Sequence, residues 1–201
     1  MKYILFLIII LVIAAVLLNV FLSFRSRTNS NKFIENMFKK LGVTFIKFKR
    51  QGWTIKTFTT EKKIIELQNN DIPQTDWFQI NQKECVGVAD PFLFFYGNMY
   101  YMFFEYENVH KGADIAYASS TNGKKWSFQS KILEEQFHQS FPYIFSYNSE
   151  IFMLPESYQS NQVRLYKAID FPKSWKLDKI LFEGKKLADT IWLFKDSYFF
   201  W

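Results

Sequence analysis

The chain has 201 residues, 49% hydrophobic and 20% aromatic with 24 phenylalanines, a composition that can fill a packed core and excludes intrinsic disorder. A single cysteine, Cys85, excludes an intrachain disulfide, and with only His110 and His138 there is no zinc-spaced cluster, so neither a metal nor a cofactor is expected. The net charge of +6 sits in the leader, with 13 Lys/Arg against 6 Asp/Glu up to Val86 and 12 against 13 from Gly87 onward, so nucleic acid is not an expected partner.

Tyr3 to Leu22 is an apolar run interrupted only by Asn19. Its 20 residues are long enough to cross about 30 Å of hydrocarbon as a helix. The run is longer than the core of a cleaved signal peptide, and Leu22-Ser23-Phe24-Arg25 offers no small-x-small cleavage site, so residues 1–24 are expected to be an uncleaved anchor held in membrane lipid. Arg25, Arg27, Lys32, Lys39 and Lys40 follow the span, whereas only Lys2 and the amino terminus precede it, which places the folded part on the cytoplasmic side by flanking charge. Residues 25–84 form a basic juxtamembrane and lead-in region. Within it, Phe33, Ile34, Met37, Phe38 and Leu41 share one face of a short helix closed by Gly42. That helix either lies on an anionic lipid surface or packs as a connector. Val43 to Phe48, Trp53 to Thr59 and Lys63 to Leu67 then read as short strands, the second being either a ring-closing strand or an ordinary lead-in.

From residue 85 onward the chain repeats itself. Ala89-Asp90-Pro91 opens two aromatic runs, Phe92 to Phe95 and Met99 to Phe104, separated by Tyr96-Gly97-Asn98 and closed by Glu105, which predicts an antiparallel hairpin. The break at Gly97-Asn98 leaves too few continuous apolar residues for a second membrane span. Both faces of each strand are apolar, as expected for a sheet covered on both sides. Fifty-one residues later the same order returns in Phe141-Pro142-Tyr143-Ile144-Phe145, a turn at Asn148-Ser149, Ile151 to Leu154 and Pro155-Glu156. Each copy has a second half, Ile115 to Ala118 with Trp126 and Arg164 to Lys167 with Trp175. A third copy opens at Ala188-Asp189-Thr190-Ile191-Trp192 and turns at Lys195-Asp196-Ser197. A period near 50 residues with about four short strands per copy predicts an all-β fold of β-propeller blades.

Taken together, Ala89-Asp90-Pro91-Phe92, Ser119 to Trp126, Phe137-His138-Gln139-Ser140-Phe141-Pro142-Tyr143, Met153-Leu154-Pro155-Glu156-Ser157 and Val163 through Trp175 resemble one family. It is the amino-terminal domain family of glucosamine inositolphosphorylceramide transferases, among the five-bladed propellers similar to glycoside hydrolase family 43. The resemblance covers residues 86–201. It implies a five-bladed propeller with a carbohydrate site at its axis, where the innermost strand of each blade begins. It also implies an accessory role, because in those transferases the domain accompanies a separate glycosyltransferase domain.

By the same resemblance Asp90 matches the base aspartate at the start of blade one, and Asp189 matches the aspartate that orients the acid at the start of blade three. Phe141 leaves blade two without a carboxylate. Sugar hydrolysis needs two carboxyl groups in opposite protonation states. The family's general acid lies in a later blade, so Glu156 is the substitute named here, with Glu105 as its counterpart; both are also simply blade-edge carboxylates. His138, just ahead of the second inner strand, and Trp192, on the third, are candidates for sugar contact, or else structural residues.

Five such repeats from Ala89 would need about 250 residues. About 113 are present, or two and a half blades over residues 85–201. The expectation is a truncated or split reading frame, or a second chain that completes the ring. Two functions follow: a membrane-anchored carbohydrate-binding or carbohydrate-processing propeller, inactive as a hydrolase in this form, or a non-enzymatic scaffold that supports a glycosyltransferase.

Overall fold

A computed structural model describes residues 52–73, 75–109, 112–191, 193–195 and 198–200, with no side chain described for Ile64 or beyond Ile191. These residues belong to one compact unit, Lys49–Trp201. The expected anchor at Tyr3 to Leu22, the short helix at Asn31 to Leu41, the strand at Val43 to Phe48, His110 and Trp192 lie outside the described residues. Among the described residues no helix is long and apolar enough to cross a membrane.

The described chain is all-β. Its first four strands are β1 (Cys85–Tyr96), β2 (Met99–Asn108), β3 (Gly112–Ser120) and β4 (Ser127–Leu133). They form a four-stranded antiparallel sheet in chain order. The next four, β5 (Ser140–Tyr147), β6 (Glu150–Glu156), β7 (Gln162–Asp170) and β8 (Ser174–Glu183), repeat the arrangement as a second sheet. A third hairpin begins with β9 (Leu193–Lys195) and β10 (Tyr198–Phe200), which pair antiparallel.

The turn residues explain the hairpins. Gly97 and Asn98 adopt φ of 56° and 60°, and Asn148 and Ser149 adopt 50° and 64°. Consecutive left-handed residues match the twist of the flanking strands, and glycine and asparagine tolerate that conformation best. Both hairpins carry the same irregularity. Ala89 pairs with Glu105 and Phe92 with Phe103, so the strand gains one residue at Asp90-Pro91. Ser140 pairs with Glu156 and Tyr143 with Leu154, which puts the extra residue at Phe141-Pro142. The repeated spacing of proline and glutamate therefore records a repeated β-bulge.

The two sheets pack face to face through Phe103, Ile115, Tyr117 and Leu133 of the first and Ile144, Ile151, Met153 and Tyr166 of the second. Phe92 meets Phe141 edge-on at 4.8 Å, and Phe171 sits 4.9 Å from Tyr101 and 5.1 Å from Tyr96. Each buried aromatic contributes about 2–3 kcal/mol through burial alone. Contacts among Phe92, Phe94, Phe141 and Phe171 fix which ends of the sheets lie side by side.

Two expectations need correction. Trp53 to Thr59 forms no strand beyond one bridge, Ile55 to Phe78, and Lys63 to Leu67 contains a 3-10 turn at Ile64–Glu66. Only Ile55 of the first stretch reaches the core, beside Met102, Phe104 and Tyr106, while Ile65 is 91% exposed. Without a partner strand along its length, an apolar alternation has nothing to pair with. The second correction concerns the sheet faces. Strand β2 is buried on both faces from Met102 to Tyr106, but Leu93, Phe95 and Tyr100 of the first hairpin are exposed. The lead-in segment covers that face only around Val88, Met102, Phe104 and Tyr106.

Candidate functional site

Three residues open the three repeats, and all three share an uncommon backbone. Asp90, Phe141 and Asp189 have φ of 49°, 47° and 49°. A left-handed conformation costs a non-glycine residue about 1–2 kcal/mol and is rarest for a bulky side chain such as phenylalanine. Its recurrence at the start of all three repeats, at a β-bulge in the first two, means the fold holds it there, and strain of this kind gathers where side chains are aimed for a task.

The aim differs from copy to copy. The Asp90 carboxylate accepts a hydrogen bond from the backbone N–H of Phe141 at 3.2 Å, crossing from the first sheet to the start of the second. The Phe141 side chain turns instead into the aromatic contact with Phe92. At the next step the backbone N–H of Asp189 donates to Oε2 of Glu156, also at 3.2 Å. Glu156 lies opposite Ser140 in the β5–β6 ladder and within reach of its hydroxyl. One chain of contacts thus runs Asp90, Phe141 N–H, Ser140, Glu156 and Asp189. It joins all three residues named as candidate catalytic groups.

Burial pushes the Glu156 carboxyl above the usual glutamate range. The Asp189 N–H draws it down, and the neighbouring Asp189 carboxylate adds repulsion that raises it further.

Glu105 occupies the position in β2 that Glu156 holds in β6, and it is buried. Its Oε1 lies 3.4 Å from Nε2 of His138. The histidine is held from several sides. Its backbone N–H donates to Gln159 at 3.1 Å, and its ring meets Tyr158 edge-on at 6.5 Å. A Cβ at Gly112 would come within 3.2 Å of its Nδ1, at a residue whose φ is 111°. His138 therefore touches the first repeat through Glu105 and the second through Tyr158 and Gln159.

Asp90 and Glu105 also line an open cleft of ≈ 470 Å³ with Trp53, Thr54, Ile55 and Lys56. This wall was not read from the sequence as part of a site. Trp53 is 73% exposed, and the Lys56 ammonium lies 4.4 Å from the centre of the Trp77 ring. The segment is placed by the Val88 N–H, which donates to the Trp53 carbonyl at 2.9 Å, and by Gly52, where a Cβ would fall 1.8 Å from the Val86 carbonyl oxygen. An exposed tryptophan just after a glycine was the available signal. Among the described residues no group of three potential metal ligands comes together.

A family model described as glucosamine inositolphosphorylceramide transferase 1, N-terminal, matches residues 78–201. Glucosamine inositolphosphorylceramide transferase 1 of Arabidopsis thaliana is 43% identical over 106 residues, covering 52% of this chain and 14% of that protein. The protein of the same name from Oryza sativa subsp. japonica is 38% identical over 120 residues, covering 55% and 16%. This chain therefore spans less than a fifth of the curated relatives it matches. Among solved structures, the GH32 beta-fructofuranosidase BmSUC1 of Bombyx mori aligns with a TM-score of 0.44 at 15% identity, covering 62% of this chain and 32% of that one.

Proposed function

This chain belongs to the glucosamine inositolphosphorylceramide transferase 1 N-terminal family, and we propose that it is a carbohydrate-binding propeller module held at a membrane by its amino-terminal apolar run. Each four-stranded sheet is one blade in this reading, and the β9–β10 hairpin opens a third. The ligand sits where the blades begin, at Asp90, Glu105, His138, Glu156 and Asp189. The observation that carries the reading is the left-handed backbone that recurs at Asp90, Phe141 and Asp189, because it spends conformational energy three times, once at the start of each repeat.

The relatives are named for glucosamine and inositolphosphorylceramide, which suggests a ligand class. The ammonium of an amino sugar suits a site rich in carboxylates, a phosphodiester suits Lys56, and the exposed indole of Trp53 offers a flat apolar face to a sugar ring. Hydrolysis is the less favoured chemistry. Asp90 spends its carboxylate on the Phe141 N–H and Glu156 spends one oxygen on the Asp189 N–H. Those two bonds support the second reading, a scaffold whose carboxylates fasten one blade to the next beside a glycosyltransferase.

Calorimetric titration of the full-length protein in detergent with glucosaminyl inositol phosphate separates the two. Binding that falls at least tenfold in both Asp90→Asn and Asp189→Asn, about 1.4 kcal/mol or more, supports the sugar site. Absence of binding by the wild type, or binding unchanged in both variants, leaves the scaffold reading.

A further inference from the structure

We propose that the end of the two sheets opposite the carboxylates docks flat on an anionic lipid bilayer. Antiparallel order places the β1–β2, β3–β4, β5–β6 and β7–β8 turns at one end of the sheets and Asp90, Glu105 and Glu156 toward the other. Contact of Phe171, in the β7–β8 turn, with Tyr96, beside the β1–β2 turn, brings the turn ends of both sheets to the same side.

That end is both apolar and basic. Phe95 is 57% exposed, Tyr96 54% and Ile169 63%, and the Tyr100 ring lies tilted 4.8 Å from Phe95 while itself remaining exposed. Aromatic side chains at this level suit the headgroup boundary, where one part of the ring is apolar and the phenol stays wet. Lys124, Lys125 and Lys173 are exposed in the turns around them. The first two are displayed by a self-bonded loop, in which the Asn122 side chain accepts from both of their backbone N–H groups and the Ser120 hydroxyl accepts from Gly123. Among the described residues, the acidic groups at this end are Glu150, already paired with Lys167, Asp170, and Glu61, two residues beyond Thr59, which lies against Gly123 of the β3–β4 turn.

An exposed aromatic patch ringed by lysines fits a surface that is apolar beneath and negative on top, which an anionic bilayer is and a neutral protein groove is not. The apolar run at Tyr3 to Leu22 gives the same chain a second hold on that bilayer. Six residues of strand separate Asp90, Glu105 and Glu156 from the nearest turn, which sets these carboxylates roughly 20 Å from the headgroups at the far end of the sheets.

The test uses the full-length chain in nanodiscs, with Cys85→Ser and one polarity-sensitive fluorophore. The fluorophore is placed on Thr121→Cys at the turn end, or on Gln136→Cys in the β4–β5 connection at the other end. Discs are made of phosphatidylcholine alone or with about a third phosphatidylserine, each with and without doxyl-labelled lipid. The expected result is a blue shift and at least threefold stronger lipid quenching at position 121 than at 136 in phosphatidylserine discs. Combined Lys124→Glu, Lys125→Glu and Lys173→Glu removes it, since each lysine near anionic lipid is worth roughly fivefold in partition. Equal quenching at both ends overturns the proposal, as does quenching indifferent to phosphatidylserine and to the lysines. A blue shift at 121 without lipid quenching, the sign of a second copy or another segment covering this end, overturns it too.

Discussion

Asp90 is the residue where structural and ligand-binding duties can be pulled apart. Its carboxylate makes a charge-assisted hydrogen bond to the Phe141 N–H, and its backbone sits at φ 49°. Asp90→Ala removes the acceptor and leaves an alanine in a conformation that aspartate tolerates better. The lost bond costs about 1.5–2 kcal/mol at this half-buried position, and the backbone penalty adds about 1 kcal/mol. The sum, about 3 kcal/mol, corresponds to a fall in Tm of about 6–12 °C for a unit of this size. Asp90→Gly frees the backbone but still loses the bond, so about 1.5 kcal/mol remains. Asp90→Asn keeps an oxygen for the Phe141 N–H and costs less than about 1 kcal/mol. Urea unfolding followed by tryptophan fluorescence should therefore rank stability as wild type, Asn, Gly, Ala. An alanine variant as stable as the wild type would refute the claim that this carboxylate joins the two sheets. A glycine variant less stable than alanine would refute the claim of backbone strain.

Other substitutions test other parts of the account. The folded-state pKa of Glu156 lies above its ordinary 4.5, so the native state holds that proton longer than the unfolded chain. The resulting stabilisation is complete below the unfolded value and is lost as pH rises through the folded one; Glu156→Gln should flatten that decline in denaturant midpoints measured across the acid range, and an unchanged slope would contradict it. Trp53→Ala should weaken binding of glucosaminyl inositol phosphate by roughly fivefold while leaving Tm within about 1 °C, because an exposed indole contributes stacking but little to the core. Gly52→Ala should destabilise by about 3 kcal/mol or force the lead-in segment off β1, since its Cβ would meet backbone at 1.8 Å; equal hydrogen-exchange protection at Val88 in both proteins would rule that out.

The repeats were legible because their spacing is set by local chemistry. Gly97-Asn98 and Asn148-Ser149 at the hairpin tips announce turns, and the repeated order of proline, turn and glutamate puts Glu105 and Glu156 at matching places, whereas the bulges that set them opposite Ala89 and Ser140 appear only in the structure. The stretch from Trp53 to Leu67 was less legible. Its alternation resembles that of a strand, yet Ile55 alone finds a buried place, and the backbone contacts are confined to Val88 against Trp53 and Phe78 against Ile55 rather than a continuous ladder. Burial of the two hairpin faces was likewise beyond periodicity, because Leu93 and Met102 look alike in sequence and differ only in what lies over them. For the candidate site, Asp90 and Asp189 were named from the family resemblance and Glu156 as a substitute for an acid that lies in a later blade. Their actual partners, the N–H groups of Phe141 and Asp189, are backbone atoms that no side-chain pattern marks. The Glu105–His138 contact joins residues 33 positions apart and depends on how the sheets pack, as does the placement of Trp53 beside Asp90.

Carbon-13 NMR of the glutamate carboxyls, recorded through an acid titration, addresses both the geometry and the use made of it. Glu156 should titrate above its ordinary 4.5 in the wild type, move back toward that value in Asp189→Asn, and change its shift when glucosaminyl inositol phosphate is added. A Glu156 signal that titrates like an ordinary surface glutamate, indifferent to both the substitution and the ligand, would contradict a shared site at the start of the repeats.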